Sequence, residues 1–274
     1  MRVAVDFPRP AGGFFSHFAH FVCDFVLPFF SLFVDDRLIG QTGRNPGLVL
    51  ELKDAVTTRF GPLLPLVGEI FPEIKLDYVS RFTIAPIRPR RLAWENSPQH
   101  VEHFLEYLRR VLPLKPANFG VVIVRRGSDR AKYPGGNFFL KSGADRRCVG
   151  VGFEKLVQRV LERRPDTICA ELEQLSFAEQ VSLFLNADTL IGQHGAAFVH
   201  AHWMPKFGHL IELQCRGYHL SPNMVPRIAR LRGHRVSVVD YPCKMDAGCV
   251  AMSIGDATKV ARLVRPKPLR GSYT

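Results

Sequence analysis

The sequence predicts an α/β protein built on a parallel sheet covered on both faces. Three observations carry that prediction. From Phe119 onward, short apolar runs alternate with helical patterns at the spacing of strand–helix–strand units. Gly120 to Val124 is apolar throughout, as a central parallel strand is when both its faces are covered. Pro113 to Pro116 (PLKP) reads as a hinge, so the 274 residues divide into domains 1–113 and 114–274.

In chain order, Val3 to Phe7 reads as a short strand and Pro8 to Gly13 as a turn. Phe14 to Phe30 reads as a helix that stops near Pro28. Phe14, Phe18, Phe21, Phe25 and Phe29 form one stripe on it, and His17, His20 and Asp24 form an adjacent one. A helix with that polar corner buries a hydrogen-bonded network, holds a metal or supplies a catalytic base; the spacing leaves all three open. The stretch is apolar enough to suggest a membrane span, but its polar residues fall where a span would have to bury charge. Prolines break Leu32 to Arg91 into short pieces, with a strand at Ile74 to Val79. Asp35-Asp36 reads as a surface turn and Ile87 to Arg91 as a solvated basic loop. Ser97 to Leu112 is a helix with an apolar face.

In the second half, Ala131 to Arg147 is a Gly-rich basic loop, Phe153 to Leu161 a helix and Thr167 to Leu172 a strand. Leu175 to Glu212 follows. Ser176 with Glu179 is a capping-box signature. Thr189 to Ile191 is a strand, and His194-Gly195-Ala196 stands where the next helix must begin. Leu210 to Leu213 is a strand, Pro222 to Leu231 a helix, Val236 to Asp240 a strand, Asp256 to Leu263 a helix, and Pro266 to Thr274 a basic tail.

The net charge of +12 points to polyanions, phosphate ligands or an anionic surface, without choosing among them. The six cysteines include no C-x-x-C pair, which predicts a reduced, intracellular protein without a zinc site. MRVAVDFPRP lacks the layout of a signal peptide. No P-loop and no Rossmann dinucleotide fingerprint occur. A nucleotide would therefore be held by arginine and helix amides, and Arg125-Arg126, His194-Gly195-Ala196 and Glu212 all fall at strand ends, where open α/β sheets bind ligands.

These residues resemble glycosyltransferase family 61. The resemblance rests on three landmarks. The first is His17-Phe18-Ala19-His20-Phe21-Val22-Cys23-Asp24-Phe25-Val26-Leu27-Pro28, where His17 replaces an asparagine usual in the family. The second is Val122-Ile123-Val124-Arg125-Arg126, with Arg146-Arg147 ahead of Glu154-Lys155-Leu156. The third is L-S-F-x-E-Q-V, A-D, G-x-H-G-A-A and M-P before a strand ending I-E-L, between Leu175 and Leu213. The likeness is weak between Leu32 and Leu114.

The resemblance implies a GT-B-like α/β fold, two Rossmann-like domains facing across a cleft, the first binding the acceptor and the second the nucleotide sugar. The final helix is free to return to the first domain. It implies an inverting, metal-independent transferase without cofactor. Asp24 would be the base, supported by His20, with His17 near the acceptor. Arg125, Arg126, Arg146, Arg147 and the amides around His194, Gly195 and Ala196 would hold the diphosphate. Ser176 and Phe177 would lie near the base, among the nucleotide-binding residues, and Glu212 would meet the ribose. The implied donor is a UDP-sugar, xylose ahead of GlcNAc, and the acceptor a glycan or polysaccharide. A cytoplasmic protein of microbial or viral type, without membrane span or nucleic-acid partner, is the expectation. The rivals are a basic nucleic-acid-binding α/β protein and a family member that binds UDP without transfer.

Overall fold

A computed structural model describes residues 2–6, 18–34, 49–53, 63–72, 74–86, 98–125, 148–149, 151–216, 224–242, 245–246, 249–250 and 252–266. The chain divides into two compact units, Met1–Leu114 and Lys115–Thr274.

In the first unit, strands β1 (Arg2–Val5), β2 (Val49–Lys53) and β3 (Lys75–Val79) form a parallel sheet in the order β1-β2-β3. Between β1 and β2 runs a helix, α1, made of an α turn Phe18–His20, a π turn Phe21–Val26 and an α segment Leu27–Val34. The helix does not stop at Pro28, contrary to the sequence expectation. Pro28 has no N–H, and its ring crowds the carbonyl of Asp24 four residues back. The wider π turn just before it absorbs both defects, and the chain goes on coiling. The described residues of the unit also form helices α2 (Leu64–Ile70) and α3 (Pro98–Val111). The Phe stripe builds an aromatic core: Phe25 stacks on Phe29 at 5.3 Å between centroids, Phe29 meets Phe71 edge-on at 4.6 Å, and Phe30 meets Phe104 at 4.9 Å. On the sheet, the buried carboxylate of Glu51 accepts hydrogen bonds from Arg2, from the Thr83 amide at 2.9 Å and from the Thr83 hydroxyl. Those bonds fasten the loop after β3 to the middle strand.

The second unit holds strands β4 (Val121–Arg125), β5 (Cys148–Val149), β6 (Thr167–Glu171), β7 (Thr189–Gln193), β8 (His209–Arg216), β9 (Arg235–Pro242), β10 (Met245–Asp246) and β11 (Cys249–Val250). Its main sheet is wholly parallel, in the order β6-β4-β7-β8-β9. A second, small sheet has the order β10-β11-β5. The described residues of this unit form helices α4 (Val151–Arg163), α5 (Phe177–Phe184), α6 (Met224–Arg232) and α7 (Ile254–Leu263), with 3-10 helices at Leu172–Gln174 and Ala196–His202. The second 3-10 helix is tighter than the helix expected after His194.

Strand alternation sorts the core. Val121, Ile123, Ile191, Ile211, Leu213 and Val239 point to one face and pack with Phe153, Leu156 and Val160 of α4 and Ala257 and Val260 of α7. The final helix thus lies against α4 within its own unit, a placement the sequence did not indicate. Arg163 Nε donates to the Val264 carbonyl at 2.6 Å and secures it there. Among the described residues no helix is long and apolar enough to cross a membrane.

Candidate functional site

The strand order locates the site. From β4 the chain moves outward to β6, returns past β4 to β7, and then proceeds away through β8 to β9. The direction of winding therefore reverses between β4 and β7. At such a switch point the connections leave opposite faces of the sheet, and a crevice opens beyond the carboxyl ends of the two strands. The hydrogen-bonded register shows the parting. β4 pairs with β6 up to Arg125–Glu171, but with β7 only up to Ile123–Ile191.

Arg125 stands on the α4 side of that parting. Its guanidinium donates to Glu154 Oε2 at 2.8 Å and lies 5.7 Å from the centroid of the Phe153 ring. Contact with the Cys169 thiol first, then Glu154, holds the guanidinium above its ordinary value, while burial pushes the Cys169 thiol up. The Arg125 side chain is 36% exposed. A guanidinium has five N–H donors, so the bond to Glu154 leaves capacity for an anion. The arginine strand and the Glu-x-Leu helix, separate landmarks in the sequence, meet here as an ion pair.

Across the parting, β7 runs through Gln193 to His194. The His194 amide donates to the Leu213 carbonyl at 3.2 Å, so it is spent on the sheet and is not one of the anion-binding amides expected there. Gly195 and Ala196 follow, at the start of the 3-10 helix, where opening N–H groups have no partner within the helix. His194 Nδ1 is hydrogen-bonded to Glu212 Oε1. Both side chains are buried: His194 is 6% exposed and Glu212 1%. This bond replaces the ribose contact expected of Glu212, because a carboxylate enclosed in the sheet has no surface to offer a sugar.

One further expectation changes. Phe177 is 2% exposed and meets Trp203 edge-on, so its ring belongs to the core and does not line a site. Ser176 stands at the amino end of α5 as a capping box: its hydroxyl accepts from the Glu179 amide at 3.3 Å, and its own amide donates to Glu179 Oε2 at 2.8 Å. These bonds hold the Glu179 carboxyl below its ordinary value. Gln193, which sequence reasoning did not single out, donates to the Tyr241 hydroxyl at 3.1 Å across the end of β8; a lone glutamine between glycine and histidine gave no signal for that.

In the first unit, Asp24 lies within the π turn. Its neighbours Phe21, Val22, Cys23, Phe25 and Val26 are buried, and Asp24 is partly exposed. π turns recur at functional positions because the extra residue turns one side chain out of the helical repeat. His20 closes the preceding α turn. His17, Arg126, Arg146 and Arg147 lie outside the described residues, as do Asp35-Asp36 and the basic loops at 87–91 and 131–147.

The model of the family described as Glycosyltransferase 61 matches residues 18–211. That span runs from the start of α1 into β8, and so takes in Asp24, Arg125 and His194. No curated protein matches the chain.

Proposed function

The chain belongs to glycosyltransferase family 61 and is a glycosyltransferase by class, and we propose that it transfers a sugar, with inversion, from a UDP-sugar to a glycan hydroxyl. The observation that carries the reading is the parting of β4 and β7, with Arg125 on one side and His194-Gly195-Ala196 on the other. A diphosphate seated there would meet a guanidinium able to bind it in a bidentate way and the amides that open the 3-10 helix.

In this reading Asp24, with His20 beside it in sequence, takes the proton of the acceptor hydroxyl. The acceptor oxygen attacks the anomeric carbon from the face opposite the nucleotide, and the bond from that carbon to the β-phosphate oxygen breaks. The charge left on the diphosphate is met by Arg125, by the Gly195 and Ala196 amides, and by Arg126, Arg146 and Arg147. Fixed donors of this kind stabilise a leaving group without a metal ion. Ser176 borders the site and His17 contacts the acceptor. The base stands on one unit and the donor groups on the other, so we read the units as the two halves of a GT-B enzyme. Cys23 and Cys169, each a thiol outside any disulfide, are in keeping with a cytoplasmic setting. Xylose is the favoured sugar, ahead of GlcNAc.

A thermal-unfolding panel of UDP, UDP-xylose, UDP-GlcNAc and other UDP-sugars tests the donor. A true donor at a hundred times its Kd stabilises by about 2.7 kcal/mol. A chain indifferent to every uridine nucleotide sinks the reading. Asp24→Asn is expected to lower kcat by about a hundredfold or more while UDP affinity stays within about twofold. Full activity in that variant removes Asp24 as the base.

A further inference from the structure

The arginine that ends β4 is held by three residues from two other elements. From α4, Glu154 Oε2 accepts from Arg125 Nη2 at 2.8 Å, and the guanidinium carbon lies 5.7 Å from the centroid of the Phe153 ring. The Phe153 ring is fixed in turn, being 1% exposed and packed in the core of the sheet. From β6, the Cys169 thiol hydrogen-bonds to the same guanidinium. Cys169 pairs in register with Ile123, two residues before Arg125, so the thiol and the arginine share one face of the sheet. Glu154 is 61% exposed and Arg125 36%. An ion pair so open to water adds little to the stability of a fold, and its consequence lies in where it keeps the arginine.

We propose that Glu154 is a positioning residue that holds the Arg125 guanidinium in place at the parting of β4 and β7 before the donor diphosphate arrives. The inference rests on the donor-site reading given above. An unrestrained arginine side chain samples many rotamers, and that freedom is lost when it closes on a phosphate. With Nη2 tied to α4 and the thiol of β6 holding the guanidinium as well, most of that ordering is complete in the folded chain. The guanidinium has five N–H groups, so its bonds to Glu154 and Cys169 leave donors for phosphate oxygens. The charge of Glu154 opposes that of a diphosphate. Its benefit therefore comes from the hydrogen bond that orients Arg125, and an uncharged acceptor of the same shape serves as well. A helix-only role makes a different prediction. Glu154 stands in the first turn of α4, where the helix dipole favours a carboxylate whether or not an arginine is near.

The test is UDP binding, measured by calorimetry on the full chain, with Glu154→Ala, Glu154→Gln, Arg125→Ala and the double variant Arg125→Ala, Glu154→Ala. Because Glu154 is largely exposed on a helix surface, both of its variants are expected to fold. Alanine is expected to weaken UDP binding by about fivefold, and glutamine to hold the affinity within about twofold of wild type. In the Arg125→Ala background the alanine at 154 is expected to cause no further loss, because it acts only through the arginine. A Glu154→Ala chain that binds UDP within about twofold of wild type overturns the inference while leaving the donor reading intact. So does a glutamine variant as weak as the alanine one, or a loss that persists undiminished without Arg125, which would assign Glu154 to the helix. An Arg125→Ala chain that binds UDP as wild type does removes Arg125 from the donor site and this inference with it. A wild-type chain that does not bind UDP overturns the donor reading itself.

Discussion

Two arginines, each one of an Arg-Arg pair in the sequence, stand at opposite edges of the five-stranded sheet. At the amino edge, Arg164 has a side chain only 4% exposed; it binds Asp166 at 2.8 and 3.0 Å, Asp188 at 2.9 Å and the Arg265 carbonyl at 3.2 Å. Asp166 first, and then Asp188, hold its guanidinium above the ordinary range. At the carboxyl edge, Arg125 is 36% exposed and holds one carboxylate, Glu154, itself 61% exposed. A buried guanidinium answered by several acceptors closes a structure, whereas one left partly wet retains donors for a ligand. Gly120 shows how tightly the amino edge is closed, since a Cβ there would stand 2.1 Å from Arg164 Nη2. Asp188, the aspartate of the A-D landmark, serves the amino edge, where it binds Arg164.

Acid is expected to strain the contrast most. Burial holds His200 and His202 down to about 3, and burial with Arg235 nearby holds His209 down to about 4. Their folded values lie below the unfolded one, so the unfolded chain takes up more protons as pH falls below about 6.5. The stability they permit is complete at pH 7 and is lost as pH drops toward those values. Denaturant titrations should show a loss of roughly 4 kcal/mol between pH 6 and pH 5. A flat profile over that interval would mean that these rings are not buried.

Arg164→Ala comes next. It should destabilise the second unit by about 3 kcal/mol, less than a fully enclosed pair because Asp188 is half exposed. UDP affinity of the folded fraction should stay within about twofold. A loss of UDP binding in folded Arg164→Ala would erase the distinction between the edges. Arg125→Ala should do the reverse, weakening UDP binding by about tenfold with a thermal midpoint close to that of wild type. Unchanged affinity would place the phosphates elsewhere. Ser176→Ala is the smallest change, about 1 kcal/mol of stability from the lost cap, and calorimetry sharpens the comparison by showing how much of the carboxyl edge is structural. A stability loss with unaltered UDP affinity assigns Ser176 to the helix alone.

What the sequence by itself determined is local. The strand at Gly120 to Val124, the helices around it and the capping box at Ser176 and Glu179 follow from side-chain period and from groups three residues apart, which act before the chain folds back on itself. The turn after β7 was legible for the same reason. Tertiary structure alone decided the strand order, and with it the switch point between β4 and β7, because parallel neighbours are joined through crossovers that leave no mark in either strand. It decided that Arg164 closes an edge while Arg125 stays open, since partner number depends on residues far apart in the chain. It carried α1 past Pro28 by way of a π turn. And it turned Glu212 from a surface carboxylate facing a sugar into a buried one facing His194, because the last strand position to remain exposed depends on what the neighbouring strands and the 3-10 helix cover.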